Sequence, residues 1–227
     1  MQICPKLLLG LAVMLLLLSA HPSMASASVT SKYEAQDIEK HYLDSLMKAT
    51  PGQLSVKQFN ALSPMGKVLY AVYYPESYTQ SCDGYLLDST KVYGYWSGSE
   101  GASQSERQQY VLKKYHRQLY ELLGSVAERS DRLNLKYLEL TTDYKVWEMV
   151  PTLVALYRTS SNLTYITALL QVMKNARYKP FLRSKQYKRI YESSSDPFST
   201  GVRLLPTSIE AILSLAQDFY TEQLKKK

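Results

Sequence analysis

Apolar side chains that recur at every third or fourth position constrain this 227-residue chain more than any other feature of its sequence. Residues three and four apart share one face of an α-helix, so each such stripe predicts a helix with one buried face. The clearest stripes are Leu112, Leu119, Leu122 and Val126; Leu163, Ile166, Leu170 and Met173; and Ile209, Ile212, Leu213, Ala216, Phe219 and Tyr220. They predict an all-α, bundle-like domain of about seven helices.

Polar residues and prolines indicate where several of these helices begin and end. Ser63-Pro64 is typical of a helix start, and Pro75 should end that helix. Ser103–Glu106 and Thr207–Glu210 both fit the capping-box pattern, in which a hydroxyl and a carboxylate satisfy backbone N–H groups at the first turn. We also expect Asp143 to cap a helix that Pro151 then breaks.

The helical spacing fails between Glu76 and Gly101, where four glycines and several serines accumulate. This composition predicts a loop-rich insertion, with a short strand at Lys91–Trp96. Irregular segments on a rigid scaffold often carry function. The insertion is therefore one candidate contact surface.

The N-terminus follows the pattern of a cleavable signal peptide. Lys6 precedes an apolar run from Leu7 to Leu18, and small residues surround Ala25–Ala27. The run is too short for a stable membrane anchor, so we expect residues 1–27 to be removed and residues 28–227 to form one periplasmic or secreted domain without a membrane span. An uncleaved N-terminal anchor is the alternative.

If the chain is exported to an oxidising compartment, it has too few cysteines for an internal disulfide, so its fold must rely on its apolar core. Cys4 would leave with the signal peptide, and Cys82 would remain alone. It cannot form an internal disulfide, so it is buried, reactive or paired with another chain.

The most distinctive local feature is a segment without acidic residues between Glu148 and Glu192. Basic and aromatic side chains alternate there, and such a mixture could hold carboxylate or phosphate groups. The candidate partner-binding residues are Lys174, Arg177, Tyr178, Lys179, Arg183, Lys185, Tyr187, Lys188 and Arg189. The alternative interpretation is a solvated helix face whose charge only keeps the protein soluble.

Catalytic patterns are weak by comparison. Ser81–Leu87 resembles the nucleophile segment of NlpC-type cell-wall peptidases, and the resemblance implies a thiol nucleophile at Cys82. A thiolate needs a nearby histidine base, and only His41 and His116 follow the signal peptide. Both histidines fall in predicted helices, and the partner histidine motif of that family is absent. One cysteine and two histidines also cannot form a closed zinc site.

The sequence therefore favours an exported, non-catalytic binding protein that uses no metal or cofactor. It has 27 Lys and Arg residues against 20 Asp and Glu, which suits an acidic protein or an anionic envelope polymer. No fold-specific nucleic-acid motif accompanies the basic segment, so nucleic acid is not the expected partner. A cell-wall-directed thiol hydrolase that uses Cys82 is the alternative function.

Overall fold

Helices form most of the part of the chain that this computed structural model describes, namely residues 24–50, 52–79, 88–95, 101–192 and 201–227, with side chains except at 24–32, 78–79 and 101–102. The α-helices of these ranges are α1 (Met24–Ala49), α2 (Val56–Ala61), α3 (Pro64–Tyr73), α4 (Glu106–Lys114), α5 (His116–Ser130), α6 (Leu135–Asp143), α7 (Val150–Ser160), α8 (Leu163–Asn175), α9 (Lys179–Leu182), α10 (Lys185–Tyr187) and α11 (Pro206–Leu224). The predicted all-α class is confirmed.

Other regular structure in the described ranges is short. Strands β1 (Ser77–Thr79) and β2 (Gly101–Ser103) pair antiparallel, with Ser77 opposite Ser103. A 3-10 turn at Trp147–Met149 precedes α7, and a π-helical turn at Lys188–Glu192 follows α10.

Two nearly fully buried helices organise the core. In α3 every residue from Val68 to Val72 is buried, and in α8 every residue from Tyr165 to Met173 is buried. A helix that is buried on all sides needs neighbours on all sides. Accordingly, α1, α4 and α5 pack against α3, while α6, α7, α9 and α11 pack against α8.

Several helix ends lie where the sequence predicts them. Ser63 Oγ accepts a hydrogen bond from Gly66 N at 2.9 Å, and Pro64 occupies the first turn of α3. That helix ends at Tyr73, just before Pro75. Here, local side-chain chemistry alone is sufficient to fix the boundary.

The first predicted capping box is wrong in register. Ser103 lies in the short sheet opposite Ser77, and α4 begins only at Glu106, so Ser103 does not occupy the N-cap position. Ser105 caps α4 instead, and Gln108 completes the box in place of Glu106. The predicted continuous helix also breaks at Tyr115, which separates α4 from α5.

The other two predicted caps are also wrong. Asp143 ends α6 and does not cap the next helix, while Pro151 lies in the first turn of α7, where its missing N–H costs nothing. At α11 the helix begins at Pro206 without a side-chain cap. Glu210 instead accepts two hydrogen bonds from Arg158, both at 2.6 Å.

A helix break and two short helices account for most of the difference between the eleven α-helices of the described residues and the predicted number of about seven. The break at Tyr115 adds one helix. The two short helices α9 and α10 add two more. Periodicity over a long window cannot detect elements of three or four residues.

Part of the loop-rich insertion is described, and it docks on the core. Val92 and Val202 exchange two backbone hydrogen bonds at 3.0 and 2.7 Å, and Tyr93 N donates to Thr167 Oγ1 at 3.0 Å. The predicted strand at Lys91–Trp96 is thus reduced, in its described part, to one bridge at Val92. Cys82 lies outside the described residues.

The buried carboxylate of Glu76 and its partner Arg107 join three separate segments, namely the end of α3, the start of α4 and the backbone before α2. Its side chain is 3% exposed and accepts hydrogen bonds from Tyr70 Oη at 2.7 Å, Ser105 Oγ at 2.6 Å and Arg107 Nε at 2.8 and 2.9 Å. Arg107 Nη2 also donates to the carbonyl of Leu54 at 2.8 Å. Burial alone would raise the pKa of Glu76, but the donated hydrogen bonds outweigh it and lower that pKa.

Gln108 completes this network. Its fully buried side chain accepts hydrogen bonds from the backbone N–H groups of Glu76 at 3.0 Å and Ser105 at 3.1 Å, and its Nε2 donates to the carbonyl of Tyr74 at 2.8 Å. The backbone that leaves α3 is therefore fixed to the start of α4.

Most of the predicted signal peptide, residues 1–23, lies outside the described residues, so signal cleavage stays a prediction. The first described helix, α1, begins at Met24. In the described ranges, no helix is both long and apolar enough to cross a bilayer.

We predict that Glu76→Gln lowers the free energy of unfolding by about 2–4 kcal/mol at about pH 7, because Arg107 would keep its charge without a buried carboxylate. Since the folded pKa of Glu76 is lowered, the contribution of its carboxylate is present above the unfolded pKa of about 4.3 and is lost as pH falls through the folded pKa. Urea unfolding should therefore show that the difference in the free energy of unfolding between wild type and variant becomes smaller as pH falls.

The matched control is Glu210→Gln, which removes a carboxylate from a pair with Arg158 in which both side chains are more than half exposed. Solvent screens that pair, so a much smaller effect is expected. A Glu76→Gln variant as stable as the control would show that the network contributes little.

Candidate binding surface

The predicted basic and aromatic segment folds into short turns at one end of α8. Arg177 adopts a left-handed conformation with φ of 54° just after α8. Pro180 then lies in the first turn of α9, and Ser184 Oγ accepts a hydrogen bond from Tyr187 N at 3.1 Å at the start of α10. The chain continues into the π-helical turn, so it reverses several times within a few residues.

The aromatic rings of this segment face the core. Phe181 is fully buried, and Tyr187 packs edge-on against it with ring centres 5.4 Å apart. Tyr187 also stacks on Tyr191 at 4.8 Å, and Tyr178 contacts Phe219 at 5.2 Å. These rings form the underside of the segment.

Burial also changes the pKa values of two tyrosines in this segment. It raises the pKa of Tyr191, and it is the main cause that raises the pKa of Tyr178, where the nearby carboxylates Glu222 and Asp218 of α11 add to the effect. Both phenols therefore stay neutral at ordinary pH. Of the predicted partner-binding residues, Tyr178 is 8% exposed and Tyr187 is half-buried.

The cationic side chains of the same segment face solvent. We call the exposed side chains Arg177, Lys179, Arg183, Lys185, Lys188 and Arg189 the basic surface. Within the described ranges, no carboxylate lies within 4 Å of the first five. The structure thus brings six of the nine predicted partner-binding residues together as an accessible cationic group.

Lys174 is different from the other predicted cations. It is half-buried, and its Nζ lies 3.5 Å from the ring centre of Tyr95 and 4.5 Å from that of Tyr191. The two rings meet edge to face at 5.8 Å. Lys174 therefore joins the described part of the insertion to the π-helical turn through cation–π contacts.

Arg203 is a residue that sequence reasoning missed. Its carbonyl accepts a hydrogen bond from Arg189 Nη2 at 3.2 Å, and its side chain is exposed. It lies outside the segment without acidic residues, so no local pattern could have assigned it to the basic surface. The neighbouring residue Val202 pairs with Val92 of the insertion, and the hydrogen bond from Arg189 shows that the two segments adjoin.

Alternative sites receive little support from the described residues. His41 is exposed, and His116 Nδ1 lies 4.0 Å from Glu148 Oε1. Cys82 is outside the described ranges, so its predicted role as a nucleophile stays a prediction. Within those ranges, no group of three His, Cys, Asp or Glu side chains could hold a metal ion.

We predict that Lys174→Met lowers the free energy of unfolding by about 1 kcal/mol, because the methionine keeps most of the stem and loses the charge over two rings. Lys179→Met, at an exposed position of the same segment, should change it by less than about 0.5 kcal/mol. Urea unfolding measures the free energy of unfolding of both variants and of wild type. Equal free energies of unfolding for the two variants would show that the cation–π contacts of Lys174 contribute little to stability.

The chain was also compared with known proteins. No protein-family model, no curated protein and no solved structure matches it. The function is therefore argued from the chemistry of this chain's own residues.

Proposed function

We propose that this protein is an exported, non-catalytic binding protein whose basic surface engages an acidic protein partner. The observation that carries this proposal is a group of five exposed cations with no carboxylate of the described residues within 4 Å, namely Arg177, Lys179, Arg183, Lys185 and Lys188. Like charges held close together repel each other, so a complementary anionic surface gains energy by binding there.

Exposed arginines elsewhere in the described chain differ from the basic surface, because they form ion pairs within the molecule. Arg129 binds Asp37 through two hydrogen bonds at 2.7 and 3.0 Å, and Arg158 binds Glu210 in the same way. These exposed arginines therefore have partners within the molecule. The other five cations of the basic surface, without Arg189, have no such carboxylate partner among the described residues.

The buried rings support the same proposal because they hold the backbone under the cations. Phe181, Tyr187 and Tyr191 contact one another, which limits the motion of the turns that carry the charges. A surface fixed before binding loses less conformational entropy when a partner docks. Binding should weaken as salt increases, because the cations are exposed to solvent.

The export part of the proposal rests on the sequence pattern before Ser28. We expect protein recovered from the periplasm or medium of an expressing bacterium to begin near Ser28, as measured by intact mass and N-terminal sequencing. Replacing Leu11 and Leu15 with Arg should trap the full-length precursor inside the cell. Recovery of uncleaved protein in the membrane fraction would favour the anchor alternative.

The binding proposal is tested with a variant that carries Lys179→Gln, Arg183→Gln, Lys185→Gln and Lys188→Gln. Its matched control carries Lys48→Gln, Lys113→Gln, Arg132→Gln and Lys225→Gln, four exposed cations from other parts of the chain. Both proteins lose the same charge. Only the first loses the basic surface.

We expect the first variant to bind immobilised polyglutamate about tenfold more weakly than wild type, and the control to bind within about threefold of it. Equal losses would mean that net charge alone drives binding.

Lipopolysaccharide and heparin serve as competing probes, since preference for them over polyglutamate would indicate an anionic polymer. Capture of one acidic protein from envelope extract by wild type and control, but not by the first variant, would identify the partner.

A further inference from the structure

A second surface, which shares no residue with the basic surface, is a cleft between α2 and α4. Its volume is about 400 Å³, which is within the range of ligand pockets. Phe59 and Val111 form apolar parts of its lining and are 7% and 3% exposed, respectively. We call it the α2–α4 cleft.

Two large apolar side chains at this cleft are open to solvent. Val56 is 69% exposed and Tyr110 is 63% exposed, although both line the cleft. A single exposed apolar residue is ordinary on a protein surface. Two of them beside buried apolar lining residues form a pocket that an apolar side chain of a partner could fill.

The charge of the cleft is positive. Its lining contains Lys67 and Lys114, which lie on different helices, and no Asp or Glu. Lys114 Nζ lies 5.6 Å from the ring centre of Tyr110, and Lys67 Nζ donates to the carbonyl of Asn60 at 3.0 Å. Neither lysine has a carboxylate within 4 Å in the described residues.

Arg107 adds rigidity to the cleft without adding net charge. Its guanidinium lies over the ring of Phe59, 4.8 Å from the ring centre, and it is paired with Glu76. The network around Glu76 therefore also fixes one wall of the cleft. A fixed wall lowers the entropic cost of binding.

We infer that the α2–α4 cleft binds an acidic peptide segment of a partner protein, with one apolar side chain in the cleft and acidic side chains at Lys67 and Lys114. Two ammonium groups on different helices match two separate carboxylates better than the single head group of a fatty acid. The inference is independent of the proposed role of the basic surface, because the two surfaces have no residue in common.

The probe is a fluorescein-labelled peptide of sequence Gly-Glu-Glu-Leu-Glu-Glu-Gly, and fluorescence anisotropy measures its binding to the full chain. We expect saturable binding by wild type. Peptides with Gly in place of Leu, or with Gln in place of every Glu, should each bind about tenfold more weakly, because each loses one of the two complementary features.

Tyr110→Ala combined with Lys114→Gln should weaken binding of the leucine peptide about tenfold. The matched control is Tyr42→Ala combined with Lys48→Gln, which removes an equally exposed tyrosine and a lysine from α1 and should stay within about twofold of wild type. Circular dichroism melting checks that both variants fold. A single Lys67→Gln variant, which leaves the apolar lining intact, should weaken binding about threefold.

Four results would overturn the inference. The first is no saturable binding by wild type, and the second is equal weakening in Tyr110→Ala/Lys114→Gln and its control. The third is loss of peptide binding in the variant that lacks four cations of the basic surface, which would place the peptide site on that surface. The fourth is binding of dodecanoate, but not of the peptide, with the same dependence on Tyr110 and Lys114, which would assign the cleft to an anionic amphiphile.

Discussion

The pair of buried Glu76 and half-buried Arg107 is the interaction on which much of the described structure depends. It connects the end of α3, the start of α4 and the backbone before α2, segments that are far apart in sequence. A carboxylate that is 3% exposed is tolerated only because Tyr70, Ser105 and Arg107 all donate hydrogen bonds to it. Both carboxylate oxygens accept hydrogen bonds from more than one donor, so the network fixes the relative positions of the elements that it joins.

The α2–α4 cleft follows directly from that network. Arg107 reaches Glu76 across the region where Phe59 lies, and its guanidinium covers the face of that ring. One side chain thus completes a buried charge pair and forms part of a surface pocket. The basic surface has a different physical origin, because its cations lie outside a packed group of tyrosines and Phe181. Apart from Arg189, which donates a hydrogen bond to the Arg203 carbonyl, these cations make no ion pair with the described residues.

The difference between predicted and observed site residues has a simple physical reason. Composition shows that basic and aromatic residues alternate in the segment, but it does not show which way each side chain points. The rings of Tyr178 and Tyr187 turn inward because their burial removes apolar surface from water. Lys174 turns inward because its ammonium group lies over two aromatic rings. The remaining cations have no such compensation for burial, and they stay in solvent.

The sequence by itself determined the all-α class, the positions of α5, α8 and α11 and the boundaries set by Ser63, Pro64 and Pro75, because periodic burial and capping act over a few neighbouring residues. Only the tertiary structure decided that Glu76 pairs with Arg107, that Arg203 adjoins Arg189, and that Val56 and Tyr110 face one cleft. Each of these contacts joins residues separated by 14 or more positions in the chain. Local patterns carry no information on such pairs, since their formation depends on how whole helices pack.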